Sequence, residues 1–357
     1  MRISIINKRR WRIVRFYCIG WTLAFIFLNI VRGIGTKELG SLQFDFEKGL
    51  IIAITLGPLM GLVSGFAQIL VEERIYKRIS IRKLLFVRFL FTILFTLILI
   101  VFAYNIYQFF FGTYLSIYSF AVDRGSGAIY FYVVSVDLML AVLRQVNLML
   151  GEGNLYKLIR GEFYTPNEEK RIFMFLDLQS STELAERLGH VKYSMLVQDC
   201  FNDLGVAIPD NAEIYQYVGD EAVITWKFNE GIKNQECLKA FFSFKQLLSE
   251  KEKFYITNYG CVPFFKAGVH SGIVTVTEVG KYKKEIAYHG DTINTAARIQ
   301  GKCNDLGSEL LLSESLKNQL QSNNYGFTEM GAVALKGKKG KVTVHSVLEL
   351  EIQKATA

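Results

Sequence analysis

The chain has 357 residues, 51% of them apolar, a formal net charge of +8 and a mean hydropathy of +0.23. That length holds two domains, or one domain and a membrane part, and that hydropathy argues against a wholly soluble protein. Its five scattered cysteines form no CxxC pair and its four histidines are dispersed, which argues against a disulfide framework and a zinc site and fits free thiols in a reducing compartment.

The apolar excess lies in the first 150 residues, where four spans are predicted at 13–34, 50–71, 84–111 and 128–150. Each reaches the roughly 20 residues needed to cross hydrocarbon. The fourth carries Asp137 and Arg144, seven positions apart and so on one helical side. The simple reading points them into the bundle or lets them snorkel; the functional alternative is a signal- or proton-sensitive position. The N-terminal "MRISIINKRRWR" and the second loop "EERIYKRISIRK" are basic, whereas the first loop carries Glu38, Asp45 and Glu47 and the third Asp123. The positive-inside rule then predicts a multi-pass protein of the inner (plasma) membrane, with the N-terminus and everything after residue 150 cytoplasmic. Much of the basic charge serves that orientation. No basic stripe interleaved with aromatics follows, so nucleic acid is not a predicted partner. The outer loops are short, so an unknown signal or regulator must act in the bundle, at its surface or through a partner.

Residues 151–170 form a juxtamembrane linker with Gly151, Gly153, Gly161 and a helix-interrupting Pro166. It is either a plain connector or a stiff transmitter. Residues 171–350 alternate apolar and charged positions as a globular domain does, and 351–357 are a tail. "RIFMFLDL" reads as a buried strand ending at Asp177, and Ser180 and Glu183 have capping-box spacing for a helix. The Ser180-Ser181-Thr182 turn would offer free backbone N–H groups to a phosphate beside Asp177. "EIYQYVGDEAVITW" reads as two strands joined by a tight turn with Gly219 first. If that hairpin neighbours the first strand, Asp177 and Asp220 converge and can hold two Mg²⁺ or Mn²⁺ ions. A helix is predicted over 233–255, with Phe241, Phe242 and Phe244 in the core. "FFKAGVHSGIVTVTEVG" gives a strand whose His270 reads as structural. In "YHGDTINTAARIQGKC" Asp291 can cap a helix that presents Asn294 and Arg298 on one face, suited to a ribose and a transition-state phosphate. "ALKGKKGKVTVHSV" places Lys336, Lys338 and Lys339 in a Gly-rich turn, either solvated or reaching a triphosphate.

In their order, "FLDLQSST", "QYVGDEAVI", "AGVHSGIVTV", "HGDTINTAARI" and "LKGKKG" resemble the class III adenylate/guanylate cyclase catalytic domain over residues 171–350. The resemblance implies an α+β ferredoxin-like core behind the four-span α-helical membrane domain. It also implies a head-to-tail homodimer with its active sites at the interface. One protomer would supply the metal ligands Asp177 and Asp220, and its partner the ribose-orienting Asn294, the transition-state Arg298 and a phosphate-binding Lys336. The base-reading pair departs from the family pattern. Adenylate cyclases usually carry Lys and Asp or Thr there, and guanylate cyclases Glu and Cys; this chain has Gln216 and Ala287. The expected reaction is ATP to cyclic AMP and pyrophosphate. Guanylate cyclase activity, or a non-catalytic nucleotide-binding receptor, are the alternatives.

Overall fold

The structure, a computed structural model, describes residues 2–33, 45–75, 80–112, 116–123, 125–321, 324–335 and 340–350. The chain divides into two compact units near residue 150.

The first unit is helical: α1 (Arg2–Gly33), α2 (Phe46–Leu70, closed by a π turn), α3 (Ile81–Phe111), a short α4 (Ile117–Ala121) and α5 (Ser126–Met149). Four of these are long and apolar enough to cross a membrane. Helix α1 starts well before the apolar run predicted at 13–34, because its basic N-terminal residues continue the same helix. Gly57, Gly61 and Gly65 recur at four-residue spacing along α2, and an added Cβ at them would meet Thr22, Cys18 and Val14 of α1. Small residues at this spacing let two helix backbones approach closely.

The polar centre of this unit is a buried ion pair. Arg88 on α3, 1% exposed, donates from Nε and Nη2 to Oδ2 and Oδ1 of Asp137 on α5, 3% exposed, at 2.7 and 2.8 Å. Thr92 and Ser64 also donate to that carboxylate, and the ring of Tyr17 lies 5.1 Å from the Arg88 guanidinium. Arg144 takes a different partner, Glu72, at 3.0 Å. Both predicted polar residues of the fourth span therefore face inward, each answered by a residue of another helix.

The second unit opens with a linker helix, α6 (Asn154–Ile159). It continues through β1 (Asn167–Leu178), α7 (Ser181–Leu188), α8 (His190–Ala207), β2 (Glu213–Val218), β3 (Glu221–Lys227) and a short α9 (Phe228–Ile232). Next come α10 (Glu236–Glu250), α11 (Glu252–Tyr259), β4 (Phe265–Val279), β5 (Glu285–His289), α12 (Asp291–Gln300), β6 (Leu310–Ser313), α13 (Glu314–Lys317), β7 (Tyr325–Ala334) and β8 (Lys341–Glu349). The single helix expected over 233–255 is two helices. The chain breaks at Lys251, and Asn234 and Gln235 ahead of α10 take left-handed φ. Phe241 and Phe244 are core residues as expected, whereas Phe242 is half-buried and stacks on Tyr325.

The strands form one mixed sheet in the order β2-β3-β1-β4-β6-β8-β7, with β5 on the outer half of β4. β1 is antiparallel to β3 and β4, whereas β4 and β6 run parallel. The period-two alternation of β1 sends Ile172, Met174, Leu176 and Leu178 into a core with α8 and α10. Phe173 and Phe175 enter the opposite core, with Phe163 of the linker, Tyr288 and Ala296 of α12. On β4, Gly268 and Gly272 leave room for α12 to lie against the strand. A Cβ at Gly268 would sit 2.1 Å from the Gln300 backbone nitrogen, and one at Gly272 2.4 Å from Thr292 Oγ1.

Two stability predictions follow from these contacts. Gly268→Ala should push α12 off the sheet and cost at least about 2 kcal/mol, read as a lower thermal midpoint of the purified protein. Asp137→Ala should cost about 3–5 kcal/mol by stranding a buried guanidinium. An Arg88→Met/Asp137→Leu double variant should recover most of that loss, as measured by unfolding in detergent.

Candidate active site

Strand β1 delivers Asp177 to its C-terminal end, where the antiparallel register sets it opposite Glu221, the first residue of β3. β2 and β3 are joined through Gly219 and Asp220 alone, and Gly219 takes φ +63° as the glycine-first turn requires. Three carboxylates are thereby gathered at one end of neighbouring strands. Burial, then the charge of Asp220, raises the Asp177 carboxyl above the ordinary carboxylate range, against a hydrogen bond from Gln300. Glu221 is pushed up to about 7 by burial, then by Asp177 and Asp220. No described lysine or arginine offsets the crowding at either residue. Tyr193 of α8 bridges to the same spot. Its hydroxyl is raised by burial and then by Asp220, with a hydrogen bond from Ser181 opposing.

This oxygen-rich cluster fits a hard divalent cation by its chemistry. Among the described residues no group of three or more His, Cys, Asp or Glu side chains is arranged to hold a metal ion by itself. Mg²⁺ at a phosphate site takes one or two carboxylates and completes its shell with water and substrate oxygens.

The Ser180-Ser181-Thr182 turn follows directly, with Thr182 exposed and Ser181 half-buried. The expected capping box is absent. Ser180 adopts φ 54° and ψ 33° and its side chain makes no capping hydrogen bond. Side-chain capping needs an extended Ncap residue, whereas here the chain reverses immediately after β1. Similarly, Gly290 holds the Ncap position of α12, and Asp291 is its first residue, accepting from Thr295 Oγ1 at 3.2 Å.

Asn294 is exposed and Arg298 half-exposed on α12, so both are available to solvent. Asn294 Nδ2 donates to the Gly290 carbonyl at 3.4 Å. Neither residue hydrogen-bonds to Asp177 or Asp220 among the described residues; the residue of this helix that does reach Asp177 is Gln300, at 3.3 Å. Gln216 is exposed on β2 beside a register shift, and Ala287 is half-buried on β5 opposite Thr277. They neighbour a ring contact between Tyr215 and Tyr288, centroids 5.0 Å apart; the bulge at Tyr215 pairs Gln216 with Val223, on the sheet face of those rings, whereas Ala287 alternates to the other face. Lys336, Lys338 and Lys339 lie outside the described residues. His270 has a structural partner, with Nδ1 2.7 Å from Ser313 Oγ.

Sequence reasoning missed Tyr193, Gln300 and Arg171. Arg171, 1% exposed, donates to Thr225, Glu169 and Glu213 and stacks on Tyr288 at 4.9 Å. Its period-two spacing from Asp177 along β1 was the available signal, since it places both polar residues on one face around Phe173 and Phe175.

Comparison with known proteins identifies the family. A family model described as the adenylate and guanylate cyclase catalytic domain matches residues 163–349. The chain is similar to Adenylate cyclase 2 of Rhizobium meliloti (strain 1021), 31% identical over 222 residues that cover 60% of each protein. It is also similar to an adenylate cyclase of Anabaena cylindrica, 26% identical over 183 residues, 49% of this chain and 36% of that protein. The match thus spans less than two thirds of the length of these curated relatives. A solved bacterial light-regulated adenylyl cyclase superposes with a TM-score of 0.52 at 18% identity, over 58% of this chain and 61% of that one, a likeness of fold. With more than half of its residues matched by the family model, the chain belongs to the adenylate and guanylate cyclase catalytic-domain family.

Proposed function

We propose that the protein is a membrane-anchored adenylate cyclase that converts ATP to 3′,5′-cyclic AMP and pyrophosphate in a head-to-tail homodimer. The observation that carries this reading is the split arrangement of the site. Asp177 and Asp220 gather at one sheet end without a described cationic partner, while Asn294 and Arg298 face solvent on α12 and make no bond to them. A second copy of the chain supplies what each half lacks, and two equivalent sites result from a two-fold axis.

Asp177 and Asp220 would hold two Mg²⁺ or Mn²⁺ ions. When bound, these ions supply activation of the ribose hydroxyl and neutralisation of charge on the leaving pyrophosphate. The backbone N–H groups at the Ser180-Ser181-Thr182 turn orient the triphosphate at the start of α7. Asn294 of the partner chain positions the ribose for in-line attack, and Arg298 stabilises the charge on the phosphate oxygens in the transition state. Lys336 is assigned to the triphosphate from the sequence motif alone. Gln216 and Ala287 face the base. A carboxamide both donates and accepts, so Gln216 can match either purine edge, and Ala287 offers only its backbone. The names of both curated relatives, each an adenylate cyclase, favour ATP. Guanylate cyclase is the second reading, since neither base-facing residue matches the usual adenylate pattern. The four apolar helices support membrane anchoring, and the basic N-terminus supports a cytoplasmic catalytic unit on the inner membrane.

Incubation of the purified chain with ATP and GTP in parallel, each with Mg²⁺ and with Mn²⁺, should yield cyclic AMP as the main product. No cyclic product under any condition would instead support a nucleotide-binding receptor. Asp177→Ala and Arg298→Ala should each lower the rate at least about 100-fold. Mixing the two variant chains should restore about one working site per heterodimer; no recovery between folded, exchanging chains would sink the shared site. Gln216→Lys combined with Ala287→Asp should raise the preference for ATP over GTP about tenfold or more, measured as a ratio of kcat/KM values.

A further inference from the structure

We infer that Gln300 is a positioning residue: its carboxamide holds Asp177 for metal binding and joins it to the helix that carries Asn294 and Arg298. Gln300 Nε2 donates to Asp177 Oδ2 at 3.3 Å, between residues 123 positions apart in the chain. The inference rests on the proposed role of Asp177 as a metal ligand.

Three features make this contact more than incidental packing. First, the backbone of Gln300 is seated directly on β4: a Cβ on Gly268 would sit only 2.1 Å from its nitrogen. Second, the cation best placed to compete is turned elsewhere. Lys266 is the register partner of Asp177 on β4, yet its Nζ donates to Asn304 Oδ1 at 2.7 Å. Asp177 is therefore oriented by a neutral amide, which fixes a carboxylate without cancelling the charge a metal ion needs. Third, Gln300 is the side-chain donor to this carboxylate, on Oδ2, beside a backbone hydrogen bond from Leu178. Partners that orient a metal ligand in this way typically contribute about 10- to 100-fold in metal affinity.

The same geometry links two sites. Gln300 is two residues beyond Arg298 on one helix. In the head-to-tail dimer, Asp177 of a chain belongs to one active site and Arg298 of that chain to the other. Gln300 thus ties the metal half of the first site to the helix that completes the second.

The test uses the full chain in detergent. Mn²⁺ binding is titrated by electron paramagnetic resonance with 3′-deoxy-ATP, which binds but has no hydroxyl to cyclise. Gln300→Ala and Gln300→Met, the latter close to the original length, should each weaken Mn²⁺ binding about tenfold while the thermal midpoint of at least one stays near wild type. Binding unchanged within twofold in both variants overturns the inference. The mixed dimer of Asp177→Ala and Arg298→Ala chains then separates positioning from packing. Gln300→Ala on the Arg298→Ala chain, which supplies Asp177 to the live site, should raise the Mn²⁺ concentration for half activity about tenfold. On the Asp177→Ala chain, where the bond is already gone, it should change it less than twofold. Equal effects from both placements would mean α12 packing alone and overturn the inference. A parent heterodimer without activity would count against the shared site, and the homodimer titration would then decide Gln300 by itself.

Discussion

The register of β1 is the constraint on which the catalytic unit depends. This strand is paired along both edges, with β3 from Arg171 to Asp177 and with β4 over its whole length. Because side chains alternate, a slip of one residue would turn Asp177 away from its face and bury it among the aliphatic residues packed on α8 and α10. The register is pinned by what each face must bury. Ile172, Met174, Leu176 and Leu178 need one core, and Phe173 and Phe175 need the other. It is also pinned at its start by Arg171, whose buried guanidinium is satisfied by Thr225, Glu169 and Glu213 together. A charge taken out of water needs such complete pairing, so the arginine tolerates few alternative alignments.

The two ends of β1 therefore have different duties on one face. At the entry, Lys157 of the linker helix bonds Glu213 at 3.1 Å, and Glu213 bonds Arg171 at 2.8 Å. Phe163 of the same linker is buried between β-strand side chains and accepts a backbone hydrogen bond from Glu278. The linker is thus built into the sheet rather than strung beside it. At the exit, Asp177 meets the β2–β3 turn. Glu213 is the first residue of the strand that leads to Gly219 and Asp220, so linker and acidic cluster share one continuous hairpin.

Much of this was legible in the sequence because it depends on local pattern. The four apolar runs, the strand ending at Asp177, the Gly219-Asp220 turn and the helix with Asn294 and Arg298 all follow from periodicity and turn chemistry. The failures were at boundaries where tertiary contacts override local signals. Ser180 has the residue type of a cap, but the chain's reversal after β1 gives it a backbone conformation in which it cannot cap. The helix expected over 233–255 is interrupted at Lys251, whose amine pairs instead with Asp203 of α8 at 2.5 Å. In the helical unit, Asp137 and Arg144 share a helix side, yet each is neutralised by a residue of another helix, Arg88 and Glu72. Nothing in the spacing of one helix identifies a partner on the next.

The sequence by itself determined which chemistry the chain carries. Residue types at short range set the apolar spans, the hairpin turn and the carboxylates, since these obey a period of 2 or 3.6 and the φ preferences of glycine. Only the tertiary structure decided which groups meet. Gln300 reaches Asp177 across 123 positions because two glycines on β4 let α12 lie against the sheet. Arg171 takes its partners from β1, β2 and β3 because burial requires every charged donor to be answered. Contacts of this kind depend on distances between elements far apart in the chain, and those distances are fixed by packing rather than by local pattern.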